Sequence, residues 1–277
     1  IISIKKMEGN TLNIIVLIKQ VPDMEKVKFD SERGVVDRKS AGTEINPFDL
    51  NALEAAVQIG EKVDSTTITA VSMGPPSAKD ALRECIARGA SKGVLVSDIK
   101  FGGSDTRATS TILSGAIKKI GKYDLVIAGE KTVDGDTGQV GPEIAEFLNV
   151  PHGSYISKIE GVDENEIKVR SEIWAGTYLK SMRLPALITV TKDINVPRLP
   201  SFKNKMKARK AEIEVMTFKD LEGNLSENEI GFKGSPTKVK KIEVPQAAKR
   251  EGKIYRENIS QAVERLAGIF REKKVVD

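Results

Sequence analysis

The sequence predicts an α/β protein: a doubly wound, mostly parallel sheet of the Rossmann-like type, then a β-rich part and an extended C-terminal arm ending in a helix. Apolar runs of strand length alternate with segments of helical periodicity over about 150 residues, which is typical of βα units. The first run, 13–21, contains the continuous apolar stretch expected of a strand buried on both faces. After Pro151 the β-rich runs and polar turns favour antiparallel strands over another βα unit.

Each predicted element has a boundary signal in the sequence. The first helix begins with Asn46 as a cap and Pro47 at its first position, and both residue types are favoured there. Gly89 and Gly121 close the second and third helices, because glycine adopts the left-handed backbone that ends many helices. In chain order we predict a strand at 13–21, two short strands within 27–38, a helix at 46–63, a strand at 66–74, a helix at 77–90, a strand at 92–98, a helix at 105–121, a strand at 123–129 and a helix within 137–148.

The chain divides into three predicted parts. Residues 1–12 have too short an apolar stretch for a secretory signal and are interpreted as a tag or an N-terminal extension. Residues 13–217 form the α/β domain, including the β-rich segment and a short basic helix. Residues 218–277 form the C-terminal arm, because 218–250 are polar and show no sustained periodicity. The last helix is amphipathic, with apolar residues at Ile259, Val263, Leu266 and Ile269.

Composition excludes several classes of protein. Of 277 residues, 39% are hydrophobic and 30% charged, and no apolar run reaches the roughly 18 residues that a membrane span needs. The single cysteine, Cys85, rules out an internal disulfide and suits a reducing cytoplasm, which is the predicted location. The net charge is +5, but the basic blocks 202–210 and 238–253 lack aromatic platforms, so we predict no nucleic-acid binding. The only histidine, His152, has no partner for catalysis, and no Cys/His cluster predicts a metal site.

Four informative segments follow four predicted strands. They are KQVPD at 19–23, SMGP at 72–75, SDIKFGGSDT at 97–106 and GEKTVDGDTG at 129–138. The carboxyl ends of parallel strands lie at one edge of a sheet, where ligands of such sheets bind. The sequence therefore predicts one ligand crevice at this edge.

Two of these segments are expected to bind phosphate groups. Amides at a helix start are unpaired and carry partial positive charge, so they attract phosphate oxygens. Glycines at Gly135, Gly138 and Gly141 would let a ligand approach the backbone at the start of the fourth helix. The segment 104–110 offers a second site with hydroxyl side chains. Two such sites at neighbouring strand ends suit a pyrophosphate better than a single phosphate.

Asp134 and Asp136 lie in the loop before the fourth helix, where their negative charges should repel a phosphate. Capping and loop organisation is the favoured interpretation, because aspartates accept hydrogen bonds from loop amides. The alternatives are a ribose contact, a Mg²⁺ site for a nucleotide triphosphate, or a covalent nucleophile of the haloacid-dehalogenase kind. The last requires the first aspartate directly after its strand, whereas GEKTV intervenes here. A nucleotide site without acid–base residues favours a carrier or binding subunit.

Six longer motifs extend over about residues 13–217. They are VLIKQVPD, NPFDLNALEAAV, VSMGP, ALRECIARGA, VDGDTGQVGPEIAEFL and LPALITVTKDINVPRLPSFKNKMKARKAEIE. Taken together, these motifs resemble one known family, the β subunit of electron transfer flavoproteins, although any one of them alone would be a weak signal. The segment before LPA departs from the family at Ser171, Trp174 and Ala175, where acidic residues and glycine are usual.

This resemblance implies a heterodimer with a flavoprotein α subunit, on which residues 218–277 would pack. In the simplest members the β site holds AMP. In electron-bifurcating members it holds FAD, which accepts electrons from NADH and passes them to a dehydrogenase partner and to ferredoxin or flavodoxin. The glycine patterns at 134–142 and 102–110 resemble the bifurcating group, so FAD with NADH as donor is favoured and AMP is the alternative. NADH oxidation would then belong only to the complex. A phosphatase-like or nucleotide-hydrolysing enzyme and an adenine-nucleotide sensor remain further alternatives.

The resemblance also implies roles for individual residues. The adenosine part would be lined by Lys19, Val21, Asp23, Asn46, Ser72 and Met73. The pyrophosphate would face Asp105, Thr106, Thr109 and Ser110, and the remainder would be wrapped by Asp134, Gly135, Asp136, Thr137, Gly138, Gln139, Val140 and Gly141. A recognition loop at 197–206 would dock an acyl-CoA-dehydrogenase-like or other flavin dehydrogenase through Leu199, Phe202, Lys203 and Met206.

Overall fold

The computed structural model forms two compact units, Ile1–Lys240 and Lys241–Asp277, which are described separately. The described residues are 3–4, 11–23, 28–30, 35–37, 42–63, 65–240, 252, 254, 256 and 258–275. The strands are β1 (Ser3–Ile4), β2 (Leu12–Leu17), β3 (Gln20–Pro22), β4 (Lys28–Asp30), β5 (Val35–Asp37), β6 (Thr43–Ile45), β7 (Thr66–Met73), β8 (Lys92–Val96), β9 (Leu125–Gly129), β10 (His152–Val162), β11 (Glu166–Ile173), β12 (Gly176–Arg183), β13 (Ala186–Val190) and β14 (Glu214–Met216). The helices are α1 (Pro47–Gly60), α2 (Lys79–Arg88), α3 (Thr106–Ile120), α4 (Val140–Leu148), α5 (Phe202–Arg209), α6 (Phe218–Leu221), α7 (Gly231–Gly234) and α8 (Ile259–Glu272).

One large sheet organises the first unit. Its strand order is β12-β11-β10-β13-β9-β2-β7-β8-β14, and β1 pairs with β10 beyond this path. The strands β2, β7, β8, β9, β13 and β14 run parallel, so the predicted doubly wound α/β class is confirmed. The short pairs β3–β6 and β4–β5 stand apart from this sheet.

Helices cover both faces of the sheet. Side chains alternate between faces along a strand, so Ile14 and Val16 belong to one apolar cluster and Ile15 and Leu17 to the other. The first cluster also contains apolar residues of α1 and α2, and the second contains those of α3 and α4. Cys85 is buried in the first cluster, and burial raises the pKa of its thiol. It is therefore a packing residue.

The prediction of purely antiparallel strands after Pro151 is wrong in part. β11 pairs antiparallel with both β10 and β12 as predicted, but β10 and β13 are parallel to each other. β13 is also parallel to β9, so the chain makes a further βα unit through α4. The pattern of apolar residues reports which side of a strand is buried, not the direction of its neighbours. A crossover through a helix is what parallel neighbours require.

The compact unit continues beyond the predicted boundary at residue 217. Phe218, Leu221, Leu225 and Ile230 are buried in the same cluster as α3 and α4. Thr217 and Asp220 form a capping box at the start of α6, which directs this segment back onto the domain. Phe218, Leu221 and Leu225 have helical spacing, but the run is short and lies among polar residues, so it gave no sustained periodicity in the sequence. At the other end, β1 lies within the predicted extension and pairs with β10.

The second unit contains the predicted C-terminal helix, α8. The Asn258 side chain accepts a hydrogen bond from the Gln261 amide at the helix start. The apolar residues Ile259, Val263 and Leu266 follow one another at helical spacing and are exposed. Within the part of the chain that the structure describes, no helix is long and apolar enough to cross a membrane.

Candidate functional site

A crevice of about 430 Å³ lies at the carboxyl ends of the parallel strands. Lys19, Met73 and Gly129 line it just after β2, at the end of β7 and at the end of β9. The start of α3 and the loop at 130–139, called the 130–139 loop below, form the other walls. A second cavity of about 530 Å³ shares Met73 and Phe101 with the first, so the two adjoin. Both volumes are in the usual range for small-molecule sites.

Asp49, in the first turn of α1, joins two strand ends beside the crevice. Its Oδ2 accepts a hydrogen bond from the Lys19 amide at 2.8 Å, and its Oδ1 accepts one from the Gly129 amide at 3.3 Å. Burial raises the pKa of Asp49 to about 7, although these two hydrogen bonds act in the opposite direction. Sequence reasoning missed this residue. The available signal was its position on the apolar stripe of α1, one turn before Ala52 and Leu53.

Asn46 holds the 130–139 loop in place. Asn46 is the N-cap residue of α1 as predicted, but its side chain forms no cap hydrogen bond. Instead Nδ2 donates to the Lys131 carbonyl at 2.9 Å, and Oδ1 accepts from the Val133 amide at 3.2 Å. A buried amide side chain needs partners, and the loop backbone supplies them.

Each aspartate of the 130–139 loop is paired with a lysine. The Lys19 ammonium donates to both oxygens of Asp134 at 2.8 and 2.9 Å, and Lys131 pairs with Asp136 at 2.9 Å. Partial burial alone would raise the pKa of Asp134, but the hydrogen bonds from Lys19 and Thr132 hold it below the ordinary value. The pairs offset both negative charges. Neither aspartate caps α4, so the capping part of the favoured interpretation is wrong, while the loop-organising part stays a prediction. Among the described residues, no group of three His, Cys, Asp or Glu side chains could hold a metal ion.

The two helix starts at the crevice differ. The Asp105 carboxylate caps α3 by accepting from the Ala108 amide at 3.0 Å, and its other oxygen accepts from the Thr237 amide at 2.9 Å. No side chain caps α4, and Gln139, Val140 and Gly141 at its start line the crevice. The start of α4 is therefore the better place for an anion, because its first amides have no side-chain acceptor.

The structure brings only some of the predicted residues to the crevice. Those that line it are Lys19, Met73, Asp105, Thr106, Thr109, Gly135, Thr137, Gly138, Gln139, Val140 and Gly141. Asp134 and Asp136 act on the loop instead, as described above. Ser110 is fully buried and donates to the Glu143 carboxylate at 2.8 Å. Val21 is buried within β3, and Asp23 follows that strand; neither lines the crevice.

Ser72 is the one unexplained member of the predicted set. It is buried in β7, and its hydroxyl has no hydrogen-bond partner among the residues that the structure describes. Its neighbours Val71 and Met73 line the crevice, so alternation along the strand directs Ser72 to the opposite face of the sheet.

The residues predicted to dock a partner lie on a separate surface. Residues 191–201, called the 191–201 loop below, connect β13 to α5. Leu199 is 86% exposed and Phe202 is 80% exposed, while Met206 and Lys203 are also exposed. Large apolar side chains in one exposed group are typical of an interaction site.

The fold and the crevice define an α/β protein with a ligand-sized crevice at the carboxyl edge of a parallel sheet. Residues 33–221 match the family model of the electron transfer flavoprotein domain. Electron transfer flavoprotein subunit beta from Thermoanaerobacterium thermosaccharolyticum is 42% identical over 266 residues, which are 96% of this chain and 100% of that protein. The caffeyl-CoA reductase-Etf complex subunit CarD from Acetobacterium woodii is 37% identical over 265 residues, again 96% and 100%. Protein FixA from Azotobacter vinelandii is 38% identical over 248 residues, 88% of each chain.

The chain therefore belongs to the electron transfer flavoprotein β-subunit family, and the resemblance seen in its motifs is confirmed. A β subunit of an electron-transfer complex implies a partner subunit.

Proposed function

We propose that this chain is the β subunit of an electron-bifurcating electron transfer flavoprotein and holds FAD in the strand-end crevice. The observation that carries the proposal is the uncapped start of α4 beside a crevice whose two loop aspartates are already paired with lysines. An anionic nucleotide would meet backbone amides at this helix start. The adjoining second cavity gives room for a ligand longer than a mononucleotide.

The residues present fit such a cofactor. Amides at the start of α4 would receive phosphate oxygens, and the Thr109 hydroxyl lies on the facing wall. Gly138 has a φ of 64°, a left-handed backbone that favours glycine and keeps this wall free of a side chain. Asp49 holds the two strand ends that form the floor. When bound, FAD would supply the hydride-accepting and one-electron chemistry, while the protein binds, orients and shields it.

The alternative is a non-bifurcating subunit that holds AMP, and one observation favours it. Asp105 already caps α3, so the crevice has one uncapped helix start rather than the two expected for a pyrophosphate. A single phosphate at α4 would satisfy this arrangement.

A second surface suggests one docking partner. The exposed apolar residues of the 191–201 loop and α5 lie beside Lys203, Lys205, Lys207, Arg209 and Lys210. We infer a flavin dehydrogenase of the acyl-CoA-dehydrogenase type, with an acidic surface, as the docking partner. NADH as donor, ferredoxin or flavodoxin as low-potential acceptor, packing of 218–277 on the α subunit, and a cytoplasmic location stay predictions that rest on the family resemblance.

Cofactor content of the complex tests the proposal. The chain co-expressed with its α subunit is expected to yield two FAD per heterodimer after acid release and chromatography. One FAD and one AMP would contradict the bifurcating proposal and support the alternative. Gln139→Pro at the N-cap of α4 removes one backbone amide at this helix start, and Gly223→Ala provides a control with no atom within 4 Å of its new Cβ. Loss of one nucleotide is expected only in the first variant.

A further inference from the structure

The 191–201 loop is fixed to α1 by buried polar side chains. Asn51 is 4% exposed, and its Nδ2 donates to the carbonyls of Lys192 at 3.2 Å and Asn195 at 2.8 Å. In return, Asn195 Nδ2 donates to the Asn51 carbonyl at 3.1 Å. The backbone of this loop is therefore specified by one side chain of a core helix.

Glu54, one turn further along α1, makes the strongest of these contacts. It is 5% exposed, and its Oε2 accepts from the Arg198 amide at 3.1 Å and from Nε at 2.7 Å. Its Oε1 accepts from Arg198 Nη2 at 3.0 Å, so the guanidinium is bound through two nitrogens. Glu61 also accepts from Arg198, at Nη1. From the other side, Arg88 of α2 donates to the Arg198 carbonyl at 2.6 Å.

This ion pair is a weak source of stability, because Glu54 loses its hydration on burial, which offsets much of its attraction to the partly exposed Arg198. Its effect is to define one geometry, since the buried carboxylate is satisfied only when Arg198 is in place. Yet the side chains on either side of Arg198 contribute little to any core: Val196 is 88% exposed and Leu199 is 86% exposed. The pair therefore fixes a loop whose neighbouring apolar side chains face outwards.

We propose that Glu54, together with Asn51, is a positioning residue for partner docking: it holds the 191–201 loop so that Leu199 and Phe202 meet a flavin dehydrogenase as one rigid surface. This inference rests on the proposed docking function of the loop. The basic residues of α5 argue for an acidic protein surface as the occupant. Neither Glu54 nor Asn51 lines the nucleotide crevice.

Electron transfer between two purified proteins tests the inference. The probe is a purified acyl-CoA dehydrogenase, reduced by its acyl-CoA substrate, and the reduction of flavin in the complex of this chain with its α subunit is followed by absorbance. Glu54→Ala is expected to raise the dehydrogenase concentration at half-maximal rate by about tenfold, because a loosened loop must be ordered on binding, while kcat and flavin content stay unchanged. Glu160→Ala is the control, since Glu160 also binds a guanidinium, that of Arg170, on another part of the sheet.

A double-mutant cycle separates positioning from general loss of structure. Leu199→Ala alone should weaken docking to a similar degree, and Glu54→Ala combined with Leu199→Ala should add little further, because both act on one contact. Additive effects would overturn the positioning role. Hydrogen exchange should show faster exchange of the amides of Asn195, Val196, Arg198 and Leu199 in Glu54→Ala, with amides of the 130–139 loop unchanged. Unchanged exchange at these four amides would also overturn the positioning role.

The outcomes distinguish the two proposals. If Leu199→Ala and Phe202→Ala leave the half-maximal concentration unchanged, or if the unmutated complex shows no saturable transfer, the docking function itself is wrong. If those two variants weaken docking and Glu54→Ala does not, the docking function stands and the positioning inference is wrong.

Discussion

The 130–139 loop and the 191–201 loop are both held by α1, but the contacts differ in kind. Asn46 and Asp49, at the start of the helix, bind backbone amides of the first loop and of the strand ends next to it. Asn51 and Glu54 bind the second loop. The helix therefore has polar residues along a side that would otherwise be expected to be apolar.

The surfaces that these loops present are opposite in character. The 130–139 loop is rich in glycine, and its ion pair between Lys131 and Asp136 is open to water; the Asp136 side chain is 70% exposed. The 191–201 loop has an ion pair with a buried carboxylate, that of Glu54 at 5% exposed, and exposed apolar side chains. Exposed pairs contribute little and rearrange easily, whereas a buried carboxylate is satisfied in only one geometry. The comparison predicts that the first loop adapts to a ligand more readily than the second.

Gly129→Ala should disrupt the contact between Asp49 and the strand ends, and we expect it to cause the largest loss of stability. A Cβ at Gly129 would lie 2.6 Å from the Phe48 Cβ and 2.9 Å from its carbonyl carbon, and would also meet Asp49 Oδ1. Because backbone and a buried carboxylate would have to move, the free energy of unfolding should fall by about 3 kcal/mol or more. Urea denaturation of the complex measures this. Gly223→Ala is the control, and an equal stability of both variants would contradict the tight packing at Gly129.

Glu54→Gln should weaken the contact that holds the 191–201 loop to α1, with a smaller loss of stability. The variant keeps the shape of the side chain but leaves Arg198 without a carboxylate, which costs about 1–3 kcal/mol for a buried partner. Arg198 is 36% exposed and can recover some hydration, so the lower half of this range is expected. Thermal unfolding monitored by circular dichroism measures the loss. A Tm equal to that of the unmutated chain would show that the pair defines geometry without contributing stability.

Asp49→Asn should change how stability depends on pH. The folded-state pKa of Asp49 is raised from 3.8 to about 7, so between these values the folded state binds more protons than the unfolded state. Stability from this group is therefore present at low pH and is lost as pH rises through 7, with a slope of up to about 1.4 kcal/mol per pH unit. Unfolding at several pH values should show this slope in the unmutated chain and not in the variant. Parallel pH profiles would contradict a carboxyl group that is protonated in the folded state near pH 6.

Local sequence patterns predicted much of the fold for a physical reason. The βα units and their helix ends depend on residues close in sequence, such as Gly89 closing α2 with a φ of 129°. The insertion of β13 between β9 and β10 depends on contacts between distant segments, and neither strand's own pattern encodes its neighbour. The exposure of Phe202 also required tertiary structure, because its apolar side chain is equally consistent with a core position.

The location of the candidate site could be predicted from the sequence, but the ion pairs and hydrogen bonds between its side chains could not. The glycines of the 130–139 loop and the strand ends indicated the crevice. The partner of Asp134 is Lys19, 115 positions earlier, and no local pattern relates the two. Ser110 was expected to face the ligand because it lies in a hydroxyl-rich helix start, but it is on the α4 side of α3 and binds Glu143.

Asp134→Asn and Asp136→Asn compare the two exposed pairs of the 130–139 loop and have the smallest expected effects. Asp134 is the less exposed of the two, at 22% against 70%, so its loss should cost about 1 kcal/mol and that of Asp136 less than about 0.5 kcal/mol. The pKa of Asp134 is held below 3.8, so its contribution is present above that pH and is lost as pH falls through the lower folded-state value. Unfolding at pH 7 and near pH 3 should therefore separate Asp134→Asn from the unmutated chain only at the higher pH. If Asp136→Asn were as costly as Glu54→Gln, the 130–139 loop would be fixed as firmly as the 191–201 loop, and the contrast between an adaptable and a rigid loop would be wrong.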